Sequence, residues 1–269
     1  MRKLIALDVD GTLLNSNNEI TDRTREVLER AQDTGHTLVI ASGRDPIGVS
    51  MYADMLNFYK HNGLICTFNG AKVIDYETKE VLIDHSMDLD TAKEILAFAE
   101  ENSMTYLLYT DTCIVTNSED TYAIADIAHA DHNTYEVVED LSYNIDFSPN
   151  KILFSIDPSI IDEKIKIFDE RFEGKFSTAK STPFFYEVMP KGIDKGNSLI
   201  EMAKYLGIDI KDTIAIGDER NDLAMLKAAG VGVVMGNAPD VVKEIGDYIT
   251  KSNDEDGIAY YLENELLNK

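Results

Sequence analysis

Four short polar clusters interrupt apolar stretches of this chain, and each carries groups that could do chemistry. They are Asp8-Val9-Asp10-Gly11-Thr12 after "LIAL", Ser42-Gly43-Arg44 after "HTLVIA", the lysines Lys191 and Lys195 in "KGIDKG", and Gly217-Asp218-Glu219-Arg220-Asn221-Asp222 after "DTIAI". Side chains alternate along an extended chain, so Asp8 and Asp10 can point the same way with Val9 opposite. Two carboxylates side by side repel, and a hard cation such as Mg²⁺, which takes oxygen ligands, would compensate them. An ordinary Asp-Gly turn after a strand is the other reading of the same residues. Asp218 repeats the pattern. Asn221 and Asp222 then fall in the first turn of a following helix, where acids also suit the helix dipole. Ser42 and the backbone N–H groups around Gly43 suit phosphate oxygens, or simply make a strand-to-helix turn. A lysine at this edge would counter both phosphate and carboxylates.

The elements that must position these groups follow from the apolar pattern. "KLIALDV", "HTLVIAS" and "GLICTFNG" read as buried strands. Between them lie the helices "TDRTREVLERAQDTG", with Thr21 as N-cap, and "DPIGVSMYADMLNFY", with Pro46 in its first turn. Continuous rather than alternating apolar strands, linked by helices, predict a parallel sheet covered on both faces. "AKVIDYETKEVLIDHS" reads as a hairpin. The rhythm then changes to runs of neighbouring strands mixed with two or three helices, the pattern of an α+β unit with an antiparallel sheet. After Pro190 the α/β alternation resumes, including helices over "DKGNSLIEMAKYLG" and "APDVVKEIG" and strands over "DTIAIGD", "VGVVMG" and "DYITKS". The simplest account is a doubly wound α/β domain from residues 1–82 and 190–269, with an α+β domain inserted over 83–189. Open α/β sheets bind ligands beyond the carboxyl ends of their strands, and the four clusters fall at or near that edge.

Composition narrows the function classes. The 269 residues carry 49 acids against 25 Lys and Arg, a formal charge of −24, so a phosphate backbone or an anionic membrane would be repelled. A small anionic substrate can bind only where local charges or a metal reverse that field. No apolar run approaches the ~20 residues of a membrane span, and the N-terminal apolar run is too short for a signal peptide. A cytoplasmic protein is expected. Cys66 and Cys113 are not a C-x-x-C pair and read as small buried residues rather than a zinc site or disulfide.

In their order along the chain, DVDGT, SGR, DKG and GDERND resemble the haloacid dehalogenase superfamily of phosphohydrolases. The likeness is to its Cof-type branch, whose class IIB α/β cap is inserted after the third core strand. "FNGA" at 68–71, "LKAAGVGVVMGNA" at 226–238 and "TKSNDEDGIA" at 250–259 extend the resemblance over essentially the whole chain. Within the inserted region it is mainly topological. The resemblance implies a Rossmann-like core and an Mg²⁺-dependent phosphatase of a small phosphorylated metabolite, most readily a sugar phosphate. It implies Asp8 as the nucleophile that forms an aspartyl-phosphate, and Asp10 as acid on the leaving oxygen, then base for water. Mg²⁺ would be held by the Asp8 carboxylate, the Asp10 main-chain carbonyl and Asp218, with Asp222 supporting the metal shell or Lys195. Ser42, Gly43, Lys195 and Asn221 would hold the phosphoryl group, and Arg44 and Asn69 would touch substrate. Within the insert, Lys151, Tyr186 and Glu187 are candidate cap contacts, each also readable as an ordinary sheet or surface residue. A phosphomutase or phosphotransferase would share the aspartyl-phosphate, and a non-catalytic phospho-ligand sensor would share the scaffold. Neither the oligomeric state nor the particular substrate can be read from the chain.

Overall fold

The computed structural model describes residues 2–268. From the N-terminus, β1 (Leu4–Leu7), α1 (Asp22–Asp33), β2 (Thr37–Ala41), α2 (Pro46–Met55), α3 (Phe58–His61) and β3 (Leu64–Thr67) alternate as expected. The hairpin strands β4 (Lys72–Asp75) and β5 (Val81–Asp84) follow. Next come α4 (Leu89–Glu101), β6 (Tyr106–Tyr109), β7 (Ile114–Thr116), α5 (Ile124–Ala130), β8 (Tyr135–Val137) and α6 (Leu141–Asn144). Then follow β9 (Ile152–Ser155), α7 (Ile161–Phe172), β10 (Ser177–Lys180) and β11 (Phe185–Met189). The alternation returns with α8 (Lys195–Tyr205), β12 (Thr213–Gly217), α9 (Leu223–Ala228), β13 (Val231–Val234), α10 (Asp240–Lys243), β14 (Tyr248–Ile249) and α11 (Gly257–Leu262). The chain divides into two compact units. One holds residues 1–44, 49–83 and 194–269; the other holds 45–48 and 84–193.

In the first unit the described strands form one sheet in the order β14-β13-β12-β1-β2-β3-β4-β5. It is parallel from β14 to β3, and β4 runs antiparallel to β3. Alternate residues feed two separate cores. Ile5, Leu7, Leu38, Ile40, Ile214 and Ile216 pack on one face with Val27 and Leu28 of α1 and Val49 of α2. Leu4, Ala6, Val39, Ala41 and Ala215 pack on the other with Leu199 and Met202 of α8 and Leu226 of α9. Burial on both faces explains why these strands read as unbroken apolar runs. From β1 the chain winds outward through β2 and β3, then returns to the other flank as β12 and β13. β1 is therefore the point where strand order reverses, the place where such sheets bind ligands.

The second unit has a sheet in the order β10-β11-β9-β6-β7-β8, antiparallel except for the β7–β8 pair. Phe154, Tyr106 and Val188 face Ile95 and Leu96 of α4 and Phe168 and Phe172 of α7. Leu107, Ile114 and Leu153 face Ile124 and Ile127 of α5.

Three expectations need adjusting. The helix over "DPIGVSMYADMLNFY" breaks at Asn57, whose φ of 55° is left-handed, and restarts as the short α3. Asparagine tolerates that conformation better than most side chains. The helix over "APDVVKEIG" has only four residues, and the strand over "DYITKS" only two. Both lie at the margin of the sheet, where fewer neighbours enforce regular structure. Among the described residues no helix is long and apolar enough to cross a membrane.

The fully buried Ile216 of β12 lies beside β1 in the larger core. Ile216→Ala should cost about 2–5 kcal/mol, read as a lowered midpoint in chemical denaturation. Tyr143→Ala, at an 82% exposed site, should shift stability by no more than about 0.5 kcal/mol. Equal losses at the two sites would contradict this assignment of the core.

Candidate active site

The sheet fixes the backbone of Asp8 and releases its side chain. β1 is fully buried between β2 and β12, and the Asp8 N–H still donates to the Ile216 carbonyl at 3.0 Å. The chain then leaves the extended state at once. Residues 9–13 make one tight turn, in which the Leu13 N–H donates to the Asp8 carbonyl (3.2 Å) and the Leu14 N–H to the Val9 carbonyl (3.0 Å). Regular strand alternation consequently does not extend through the doublet, and the two carboxylates have different surroundings. Asp8 is buried, Val9 enters the core, and the Asp10 side chain is 59% exposed. Asp10 is held by the Arg44 fork, with Nε at 3.1 Å and Nη2 at 2.9 Å from its two oxygens.

Gly11 is what allows this turn to meet Asp218. Its φ is +78°, and a Cβ there would lie 2.4 Å from Asp218 Oδ2. Next to it, Thr12 Oγ1 donates to Asp218 Oδ1 at 2.7 Å. Asp218 follows the end of β12, and four residues on Asp222 is fully buried. One Asp222 oxygen accepts the backbone N–H groups of Asp218 (3.0 Å) and Glu219 (3.1 Å). Its other oxygen accepts from Lys195 Nζ at 2.7 Å.

Lys195 opens α8, and Asp194 caps that helix by accepting from the N–H groups of Gly196 and Asn197. Its side chain is wholly buried, and Nζ also bonds Asp8 Oδ1. The helix end is docked by the turn after β3. Phe68 and Asn69 both have a φ of 54°, and Gly70 has a φ of 107°. A Cβ on Gly70 would meet the Asp194 carbonyl oxygen at 2.6 Å. Instead the Gly70 carbonyl accepts from Ser198 Oγ of α8. The same turn presents Asn69, whose amide oxygen accepts from Asn221 Nδ2 at 3.3 Å and whose side chain lies against Gly43. Ser42 is buried at the end of β2; its Oγ accepts the Arg44 N–H at 3.1 Å.

Asp8, Asp10, Ser42, Gly43, Arg44, Asn69, Lys195, Asp218, Asn221 and Asp222 are therefore joined by direct contacts into one edge of the first unit's sheet. The three candidates in the second unit behave differently. Tyr186 is buried in that unit's own core and donates to Asp169, so it is a packing residue. Lys151 and Glu187 are a buried pair 3.8 Å apart. Two further residues at the first edge drew no chemical reading from the sequence. Asn237, after β13, donates to the Gly11 carbonyl and Asp218, and Asn253 donates to the Leu14 carbonyl at 2.8 Å. The available signal was position: "MGNA" follows a buried strand adjacent to β12.

Carboxylate oxygens of Asp8, Asp218 and Asp222 lie within 4.8 Å of one another. Burial, with Asp222 beside it, pushes the Asp8 carboxyl from an ordinary 3.8 up to about 8, although Lys195 works the other way. Burial lifts Asp218 to about 6, opposed by the Thr12 hydrogen bond. Burial would lower Lys195, but Asp222 and Asp8 outweigh it and hold the ammonium charged. Cys66 is a buried thiol, pushed up to about 12 by desolvation.

A family model described as haloacid dehalogenase-like hydrolase matches residues 5–262. A protein of Streptococcus pyogenes serotype M6, provisionally named a phosphatase, is 34% identical over 99% of both chains. The crystal structure of a haloacid dehalogenase-like hydrolase from Bacteroides thetaiotaomicron superposes with a TM-score of 0.92 at 37% identity, covering 98% of this chain and 99% of that one. BT4131, described as a subclass IIB sugar phosphatase, superposes with a TM-score of 0.81 at 25% identity over 97% and 98% of the two chains.

The buried acids give the metal-free protein a definite pH response. Asp8 binds its proton more tightly folded than unfolded, and Asp218 does so more weakly, so stability falls as pH rises from about 4 to about 8. Lys195 adds nothing to that slope, because the stability it contributes is lost only above its unfolded value of 10.5. With a chelator present, Asp8→Asn should flatten the fall and melt above the parent protein at pH 8. Parallel melting profiles for the two proteins would overturn this account of Asp8.

Proposed function

The chain belongs to the haloacid dehalogenase-like hydrolases, and we propose that within this family it is an Mg²⁺-dependent phosphatase of small phosphorylated metabolites, sugar phosphates foremost, acting in the cytoplasm. The observation that carries this reading is the charge balance at the tip of β1. Three clustered carboxylates and one ammonium bonded to two of them leave a formal −2 in a largely buried site. Buried like charges of this kind want a cation, and a divalent ion bound through oxygens fits.

The donor set also says which oxygens remain for it. Asp222 is engaged by an ammonium and two backbone N–H groups. Asp8 and Asp218 keep lone pairs, so their carboxylates and the Asp10 carbonyl are the proposed ligands, with Asp222 supporting Lys195. When bound, Mg²⁺ would keep both carboxylates ionised and offset charge on phosphoryl oxygens.

The chain's own groups then have separable tasks. A carboxylate oxygen of Asp8 attacks phosphorus, forming an acyl phosphate as the ester P–O bond breaks. Asp10 gives its proton to the departing oxygen; afterwards it takes one from water, which attacks phosphorus and frees phosphate from Asp8. Asp10 is suited to this because it lies at the surface and can trade Arg44 for a substrate oxygen, whereas Asp8 is fixed. Lys195, Ser42, the Gly43 backbone and Asn221 would hold phosphoryl oxygens, and Arg44 and Asn69 would touch the rest of the substrate. The inserted unit, on this reading, is the cap that selects the substrate. The sugar-phosphate preference is supported by the likeness to BT4131.

Phosphate release should be assayed on hexose, pentose and polyol phosphates with Mg²⁺. Asp8→Asn and Asp10→Asn should each reduce turnover at least ~1,000-fold. Mass spectrometry of protein quenched during turnover should find the phosphoryl group on the peptide that carries Asp8. Isomerised phosphosugar in place of free phosphate would make the protein a mutase. Full retention of function by Asp8→Asn would make it a sensor.

A further inference from the structure

Asn237 occupies the turn after β13 and is exposed, yet its amide is turned inward and fully engaged. Its Oδ1 accepts the Asn253 N–H at 3.1 Å. That fixes which end of the amide is which, so Nδ2 faces the site, where it donates to the Gly11 carbonyl at 2.8 Å and to Asp218 Oδ2 at 3.2 Å. Asp218 is thus gripped from both sides, by Thr12 on Oδ1 and by Asn237 on Oδ2. An exposed asparagine gains little stability from such bonds, because water would satisfy the same groups. Their effect is geometric: one amide ties the Asp8–Asp10 turn to the carboxylate across from it.

The segment behind Asn237 is tied down in turn. Ser252 and Glu255 form a reciprocal capping box around residues 253–255. Asn253 Nδ2 donates to the Leu14 carbonyl, and Asp254 accepts the Ser16 N–H at 2.8 Å. The Asn253 N–H that orients Asn237 therefore comes from a turn stitched to the chain just after the 9–13 turn, at Leu14 and Ser16. "MGNA" and "SNDED", two stretches that the proposed chemistry leaves without a task, meet here.

We propose that Asn237 is a positioning residue: it sets the angle and distance of the Asp218 carboxylate relative to the Asp8–Gly11 turn, and so preforms the cation site between them. This rests on the phosphatase reading for its purpose, but the geometry can be tested without turnover. Partners that orient a metal-binding carboxylate typically change metal affinity by about 10- to 100-fold when removed.

The experiment is calorimetric titration of the whole protein with MgCl₂, alongside melting temperatures in chelator and kinetics on an active phosphate ester. The variants are Asn237→Ala and Asn237→Ser, neither of which keeps the amide N–H that reaches Asp218. Both should raise the Mg²⁺ dissociation constant about 10- to 100-fold, leave the melting temperature near that of the parent, and recover most of kcat at saturating Mg²⁺. An unchanged dissociation constant in a folded variant overturns the inference. So does a weakening that merely follows a fall in melting temperature in both variants, which marks a structural role. If the parent binds Mg²⁺ but turns over no phosphate ester, the proposed function fails while the titration still decides the role of Asn237. Absence of Mg²⁺ binding by the parent overturns both.

Discussion

Lys195 Nζ, buried between Asp8 and Asp222, is the interaction on which the rest of the site depends. An ammonium and two carboxylates removed from water are each costly, by several kcal/mol per ion after relaxation. They persist together because each partner is held by something rigid. Asp8 is pinned by the hydrogen-bond ladder of β1, Asp222 by two backbone N–H groups, and Lys195 by a capped helix seated on the Gly70 turn. Losing Lys195 would leave two carboxylates uncompensated in a dry environment. The strand order explains why they can meet: β1 lies between β2 and β12, so loops from both flanks converge on its carboxyl end.

The same framework gives the two aspartates of the doublet opposite fates. Asp8 is the last residue the sheet controls, and Asp10 is past a turn that only Gly11 could complete so close to Asp218. One acid is therefore buried, with its proton held more tightly, and bonded to Lys195. The other is exposed and paired with Arg44. Covalent attack wants a fixed nucleophile, and proton transfer wants a group that can alternate between partners. On the proposed mechanism a two-residue spacing would supply both, because the secondary structure changes between them.

That change also marks where the sequence stops being legible. Buried parallel strands announce themselves as unbroken apolar runs, so the core strands and the acids at their tips, Asp8 and Asp218, could be read directly. Lys195 was readable because its helix begins at the same edge. The different burial of Asp8 and Asp10 was not, because regular alternation holds only while the strand continues, and nothing local says that the strand ends before residue 9. Asn57 hid a helix break in an apolar pattern that ran on through it. Asn237 and Asn253 were opaque for another reason: asparagine beside glycine or serine is ordinary turn chemistry, and their partners are 226 and 239 positions away in the chain. In the inserted unit the ambiguity was sharper still, since Tyr186 proved to be core and gave no surface pattern to distinguish it.

The acidity of the chain bears on the chemistry as well as on solubility. A protein of formal charge −24 repels a phosphate dianion at long range, so attraction must be local. Yet Lys195 is bonded to two carboxylates, and Arg44 forms a fork on a third. The cations of the site are thus already balanced, or outnumbered, by the acids they touch. A substrate that relied on them alone would have to displace an acid for each oxygen it bound. On the proposed function, a divalent ion held by the Asp8 and Asp218 carboxylates would remove that conflict, leaving Lys195 able to share its protons with a phosphoryl oxygen. The proposed cation requirement thus follows from the bonding of the two basic side chains as much as from the crowding of the acids.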